Sequence, residues 1–210
     1  MIFQHLRSIF FVCLMCAASF AQAESVKIVA FGDSLTAGFG LERGQGFVPQ
    51  LQAKLIAEGY DVELINAGVS GDTTSGGRSR LNWSVGPEAD GVILELGAND
   101  MLRGLPVKSA RENLDAMVAG LKERKVSVLI AGMQAAPNLG EEYGRAFDAI
   151  YPDLAAKYNT LLYPFFLEGV AGDSSLNQPD GIHPTKEGIA VIVENIFPSV
   201  KELIEKIKSE

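Results

Sequence analysis

Cysteine and histidine are nearly absent from this chain. Its 210 residues hold two of each and one tryptophan, and 18 basic residues stand against 26 acidic ones. The shortage is uneven, because Cys13, Cys16 and His5 all fall within the first 23 residues. Those residues follow the pattern of a secretory signal. A short start from Met1 to Arg7 carries one firm positive charge, an apolar run follows from Ile9 to Phe20, and Ala21-Gln22-Ala23 supplies the small-x-small cleavage pattern. The run is well short of the ~20 apolar residues that span a bilayer, so no membrane anchor is expected. Neither cysteine sits in the small-residue context of a lipoprotein cleavage site, so no lipid anchor is expected either. The expected organisation is a cleaved signal peptide at 1–23, export to the periplasm or the medium, and a single domain at 24–210.

Cleavage there would remove both cysteines, His5 and Arg7. Without cysteine there are no disulfides and no thiol nucleophile. With His183 as the only remaining histidine, a multi-histidine zinc site is excluded and histidine-based catalysis has one candidate. Charge leaves 17 basic against 26 acidic residues, a net −9, with no basic stripe. Nucleic acid, which demands Lys and Arg to displace counterions, is therefore not an expected partner. An anionic membrane surface is not expected for the same reason. No repeat, low-complexity stretch or linker interrupts the chain. Hydrophobic residues at 47% and charged residues at 21% make an ordinary globular balance.

Short β-branched runs alternate with amphipathic segments. Strands are predicted at 26–31, 62–66, 91–96, 126–131 and 161–166, mostly apolar, as for strands covered on both faces. Phe47, Leu51 and Leu55 recur every four residues, with Pro49 in the first turn and Gly59 as the stop. Ser109-Ala-Arg-Glu112 reads as a capping box opening a helix that buries Ala110, Leu114, Met117, Val118 and Leu121. A helix near 141–158 is predicted to break at Pro152. The last helix starts at Thr185, buries Ile189, Ile192, Val193 and Ile196, and bends near Pro198. Such alternation implies a parallel α/β sheet, with ligands at the C-terminal ends of its strands.

Polar clusters follow the strands. Gly32-Asp33-Ser34-Leu35 follows the first, Asn66-Ala-Gly-Val-Ser-Gly71-Asp72 the second and Gly97-Ala98-Asn99-Asp100 the third. Asp180-Gly-Ile-His183-Pro184 precedes the last helix. Each residue has an ordinary reading on its own: Ser34 as a helix cap, Gly71 and Asn99-Asp100 as turn residues, His183 as a structural loop histidine. Asp33, Asp72, Asn99, Asp100 and His183 also offer oxygen and nitrogen ligands for a metallophosphoesterase, although such sites generally use several histidines. No G-x-S-x-G elbow surrounds Ser34, which disfavours an α/β-hydrolase.

Together, in this order, the four segments resemble the four blocks of the GDSL, or SGNH, hydrolase family. The resemblance spans nearly all of 24–210 and is nearest to the small periplasmic thioesterase, lysophospholipase and arylesterase subgroup. Asn99-Asp100-Met-Leu-Arg103-Gly104, Ala149-Ile-Tyr-Pro152 and Pro164-Phe-Phe166 also look like that subgroup. Ala98 departs from it, because relatives often carry a second glycine there. The resemblance implies a three-layer α/β/α domain with a five-stranded parallel sheet, of the flavodoxin-like SGNH type. It also implies a serine esterase acting on carboxylic esters and thioesters through an acyl-enzyme.

A serine hydroxyl needs an adjacent base, and His183 is the only imidazole left to serve. Asp180, three residues earlier in a short loop, can reach Nδ1 and fix the tautomer. The resemblance assigns the oxyanion donors to the backbone N–H groups of Ser34 and Gly71 and the side-chain amide of Asn99. Asp33 and Asp72 are read as structural, and Trp83 as packing. No cofactor or metal is implied, and the expected partner is a small acyl or aryl ester met by a monomer. Met101, Leu102, Leu105, Met133, Ala135, Ala136, Pro137 and Leu139 suggest an apolar lining suited to acyl or aryl groups. A carbohydrate acetylesterase would share the catalytic set but present more polar and aromatic groups. A non-catalytic binding module would have no need of the set.

Overall fold

The computed structural model describes residues 25–210, so the predicted signal peptide lies outside the described residues. Five strands form one parallel sheet in the order β2-β1-β3-β4-β5. They are β1 (Val26–Gly32), β2 (Val62–Gly68), β3 (Gly91–Glu95), β4 (Ser127–Ala131) and β5 (Leu161–Tyr163). β3 and β4 are buried throughout and β1 nearly so, as their apolar runs require. β2, at one edge, is half-exposed and alternates more. Helices α2 (Phe47–Ala57) and α8 (Lys186–Ser209) pack together on one face. Helices α3 (Thr74–Ser84), α5 (Val107–Glu123) and α7 (Ile150–Tyr158) pack together on the other, completing three layers. Helix α8 alone buries Ile189, Ile192, Val193, Ile196, Phe197, Val200, Leu203 and Ile204. Each such aliphatic or aromatic side chain contributes roughly 1.5–3 kcal/mol relative to exposure.

Several local expectations give way to tertiary context. β5 ends at Tyr163 rather than 166, because Pro164 has no N–H for a sheet ladder. Helix α5 starts at Val107, not at a Ser109 capping box. Pro106 holds the N-cap position with φ −59° and its carbonyl accepts from Ser109 and Ala110. The break expected at Pro152 lies earlier, at Ala149, between α6 (Glu141–Asp148) and α7. Proline is tolerated in a first helical turn, where its N–H would have no partner, and that is where Pro152 sits. Helix α8 keeps its expected start, with the Thr185 hydroxyl accepting from Gly188 N at 3.2 Å, and continues past Pro198 to Ser209.

The sheet order reverses direction at β1, which lies between β2 and β3. Ligands in open α/β sheets bind at such a switch point, beyond the strand C-termini. The register brings Gly32, Gly68 and Glu95 level there, and the candidate catalytic groups stand on that rim.

Candidate active site

Ser34 is the first residue of a one-turn helix, α1 (Ser34–Ala37), directly beyond β1. The preceding Asp33 caps this turn, its Oδ1 accepting from Leu35 N at 3.0 Å. α1 lies so close over β2 that a Cβ on Gly68 would strike the backbone of Ala37. Glycine is required there by close approach. The nucleophile candidate is thus fixed from both sides.

His183 approaches from the loop before α8. Its Nε2 lies 2.9 Å from Ser34 Oγ, and its Nδ1 lies 2.7 Å from Asp180 Oδ2. Asp180 Oδ1 also accepts from the backbone N–H groups of Ile182 and His183, both at 3.1 Å. One carboxylate therefore holds the imidazole and the turn that carries it. The His183 hydrogen bond, foremost, and these backbone bonds hold the Asp180 carboxyl below its ordinary range. Gln178 completes the frame: its N–H donates to His183 O at 2.7 Å and its Nε2 to Phe39 O at 2.8 Å. The Phe39 ring lies 4.6 Å from the imidazole, tilted by 37°.

Gly71 and Asn99 line the same cavity as Ser34 and His183. Gly71 has φ +83°, which favours glycine, and its carbonyl accepts from Arg103 Nη2 at 2.7 Å. Asn99 belongs to α4 (Ala98–Leu102), and its Nδ2 donates to Asp33 Oδ2 at 3.0 Å. All five predicted site residues, Ser34, Gly71, Asn99, Asp180 and His183, thus converge on the sheet rim. The cavity, of about 850 Å³, falls within the range of small-molecule sites. Met101, Leu102, Met133, Ala135, Ala136 and Pro137 line it as expected, joined by Phe39, Phe165, Leu167 and Ile182. Leu105 and Leu139 do not. Leu139 turns inward onto the core, the ordinary fate of an apolar loop residue.

The other acidic side chains are otherwise engaged. Asp72 pairs with Arg80 Nε at 2.5 Å, while Arg80 also donates to Gly32 O at 2.9 Å and Ala67 O at 2.8 Å. This buried arginine, stacked over the Phe31 ring at 4.0 Å, clamps the ends of β1 and β2. Asp100 accepts from Thr74 N at 2.7 Å and Thr74 Oγ1 at 2.6 Å, anchoring the start of α3. Among the described residues, no three of His, Cys, Asp and Glu stand together as a metal site would require.

Two buried carboxyls lie beneath Ser34. Glu95 Oε2 accepts from Thr36 Oγ1 at 2.8 Å and Asp33 N at 3.3 Å, and Oε1 has no partner. Burial, then the Asp33 charge, pushes the Glu95 carboxyl well above its usual range. Burial likewise raises Asp33 to about 6, opposed by its bonds from Leu35 and Asn99 and by His183, and aided by Asp72. A carboxyl raised on folding stabilises below its unfolded pKa, and that stability is lost as pH rises through the folded value. For Asp33 the window runs from 3.8 to about 6, and a shift of that size is on the order of 3 kcal/mol. Glu95→Gln keeps an acceptor for Thr36 and removes a carboxyl that is held protonated in the folded chain but ionises on unfolding. Its unfolding midpoint should therefore fall less between pH 5 and 7 than that of the wild type. Identical profiles by scanning calorimetry would contradict this account of the pair.

Sequence reasoning missed Arg80, Gln178 and Glu95. Glu95 had a signal, a lone charge inside the apolar run Val92-Ile-Leu-Glu-Leu96. Arg80 and Gln178 had none, since neither stands in a motif and partners such as Gly32 O and Phe39 O reach them only in the folded chain.

Comparison with known proteins finds esterases and thioesterases that match along most of the chain. The esterase TesA of Pseudomonas aeruginosa is 40% identical over 193 residues, covering 91% of this chain and 96% of its own. The thioesterase 1/protease 1/lysophospholipase L1 of Escherichia coli (strain K12) is 30% identical over 201 residues, covering 95% of this chain and 93% of its own. The crystal structure of AlinE4, an SGNH-hydrolase family esterase, matches with a TM-score of 0.73 at 45% identity, covering 87% of this chain and 98% of that one. A family model for GDSL-like lipases and acylhydrolases matches residues 30–191, which takes in Ser34, Gly71, Asn99, Asp180 and His183. With these relatives covered almost end to end, the chain belongs to the GDSL-like lipase/acylhydrolase family.

Proposed function

We propose that this protein hydrolyses acyl and aryl esters and thioesters through an acyl-enzyme on Ser34. The observation that carries the reading is the unbroken contact from Ser34 Oγ through His183 to Asp180, at 2.9 and 2.7 Å, in the wall of an apolar cavity. Neutral His183 takes the Ser34 proton on Nε2 as Oγ attacks the substrate carbonyl. Asp180 accepts from Nδ1–H, which fixes the tautomer and stabilises the imidazolium that forms. The oxyanion is received by the backbone N–H groups of Ser34 and Gly71 and by the side-chain amide of Asn99, three residues that line the cavity. Collapse expels the alcohol or thiol, which takes the proton from His183. Water then attacks the acyl-enzyme with His183 again as base, releasing the acid and restoring Ser34.

The lining favours an apolar acyl or aryl group over a sugar, and the named relatives include an esterase and a thioesterase. The sequence pattern of residues 1–23 supports export from the cytoplasm before the enzyme acts. Among the described residues no helix is long and apolar enough to cross a membrane. A kcat/KM panel on residues 24–210, with p-nitrophenyl esters and acyl thioesters of two to sixteen carbons, tests the substrate reading. A buried methylene contributes about 0.8 kcal/mol, so kcat/KM should rise severalfold per carbon over the short chains. Acetyl esters as the best substrates, or no hydrolysis of any of them, would overturn it.

A further inference from the structure

We propose that Asp33 is a positioning residue of the oxyanion site, holding the Asn99 amide in the one orientation that offers an N–H to the substrate. The proposal rests on the reading of Asn99 as an oxyanion donor and adds what makes it one. A side-chain amide presents either its oxygen or its nitrogen to a given neighbour, and a half-turn about the terminal torsion exchanges them. An oxygen turned toward the developing oxyanion would repel it. The orientation must therefore be selected by something outside the amide.

Asp33 is that selector. Its Oδ2 receives Asn99 Nδ2 at 3.0 Å, and an ionised carboxylate only accepts. One N–H of Asn99 is thereby spent on Asp33, and the planar amide fixes the direction of the second. Asp33 itself cannot drift. It is fully buried, its Oδ1 is held by Leu35 N at 3.0 Å, and its backbone N–H donates to Glu95 at 3.3 Å. The residue before the nucleophile thus acts on both sides of the reacting carbonyl. Its Oδ1 caps the helix that carries Ser34, and its Oδ2 orients Asn99 on α4.

Asp33→Asn separates the two roles. Asparagine caps a helix as well as aspartate does, so α1 should survive. Its amide nitrogen, placed against Asn99 Nδ2, would favour the reversed Asn99 amide. The measurement is a double-mutant cycle in kcat with Asp33→Asn, Asn99→Ala and the double variant, on one p-nitrophenyl ester. Asp33→Asn alone should lower kcat roughly 10- to 100-fold with KM little changed, the scale of a misplaced rather than a missing donor. In the Asn99→Ala background it should cost less than about twofold, because there is no amide left to orient. Asp33→Ser, which keeps a cap oxygen but is too short to reach Asn99, should behave like Asp33→Asn and guards against an effect peculiar to the asparagine amide. A loss that is the same in both backgrounds would overturn the proposal and leave Asp33 acting through Ser34, His183 or the fold. Normal kcat in Asn99→Ala alone would instead overturn the donor reading on which it rests, so the two failures are distinct.

Discussion

Ser34→Ala should lose ester hydrolysis by roughly 10⁴- to 10⁶-fold, the scale seen when a serine nucleophile is removed from a working triad. The protein should stay folded, since Ser34 Oγ makes its contact with His183 across a cavity wall and the α1 cap comes from Asp33. Any remaining rate would come from the oxyanion donors and the apolar site acting on water. Thermal unfolding measured beside the kinetics separates lost chemistry from lost fold. Near-normal turnover in Ser34→Ala would remove the acyl-enzyme from the account.

Asn99→Ala should lower kcat roughly 10²- to 10³-fold with a smaller change in KM, the usual cost of one oxyanion donor. The asymmetry is the informative part. A donor that meets charge only as it develops affects the transition state more than the bound substrate. The variant also deprives Asp33 of a bond that favours its ionised form, so the Asp33 carboxyl should rise further above about 6. A variant with unchanged kcat would return Asn99 to the role of a turn residue.

Most of the fold was legible because its strands are local events. β1, β2, β3 and β4 announce themselves as short apolar runs bounded by polar or glycine residues, and the structure moves their ends by a residue or two. What escaped was what packing decides. Helix α3 begins Thr-Ser-Gly-Gly-Arg-Ser-Arg, with no apolar period to betray it. It forms because Thr73 caps it, Asp100 holds Thr74, and Gly77 lies so near Leu96 that a side chain there would collide. The candidate site residues were legible only together, through the resemblance of the four segments to a family pattern, since Ser34, Gly71, Asn99 and His183 each have an ordinary reading alone. Their coupling was not. Asp33 looked structural in sequence because it neighbours a proposed donor; its bond to Asn99, 66 positions away, exists only in the folded chain. The same holds for Arg80, whose partners, the carbonyls of Gly32 and Ala67 and the Asp72 carboxylate, meet it only in the folded chain.

Ser34 as nucleophile, with His183 as its base, is open to direct chemical labelling. Reaction with a fluorophosphonate, followed by peptide mass mapping, tests it most directly, because the reagent reports which hydroxyl attacks. A single adduct is expected on the peptide that contains Ser34, formed far more slowly in His183→Ala. An adduct on any other serine, or ester turnover that continues once Ser34 is fully labelled, would contradict it.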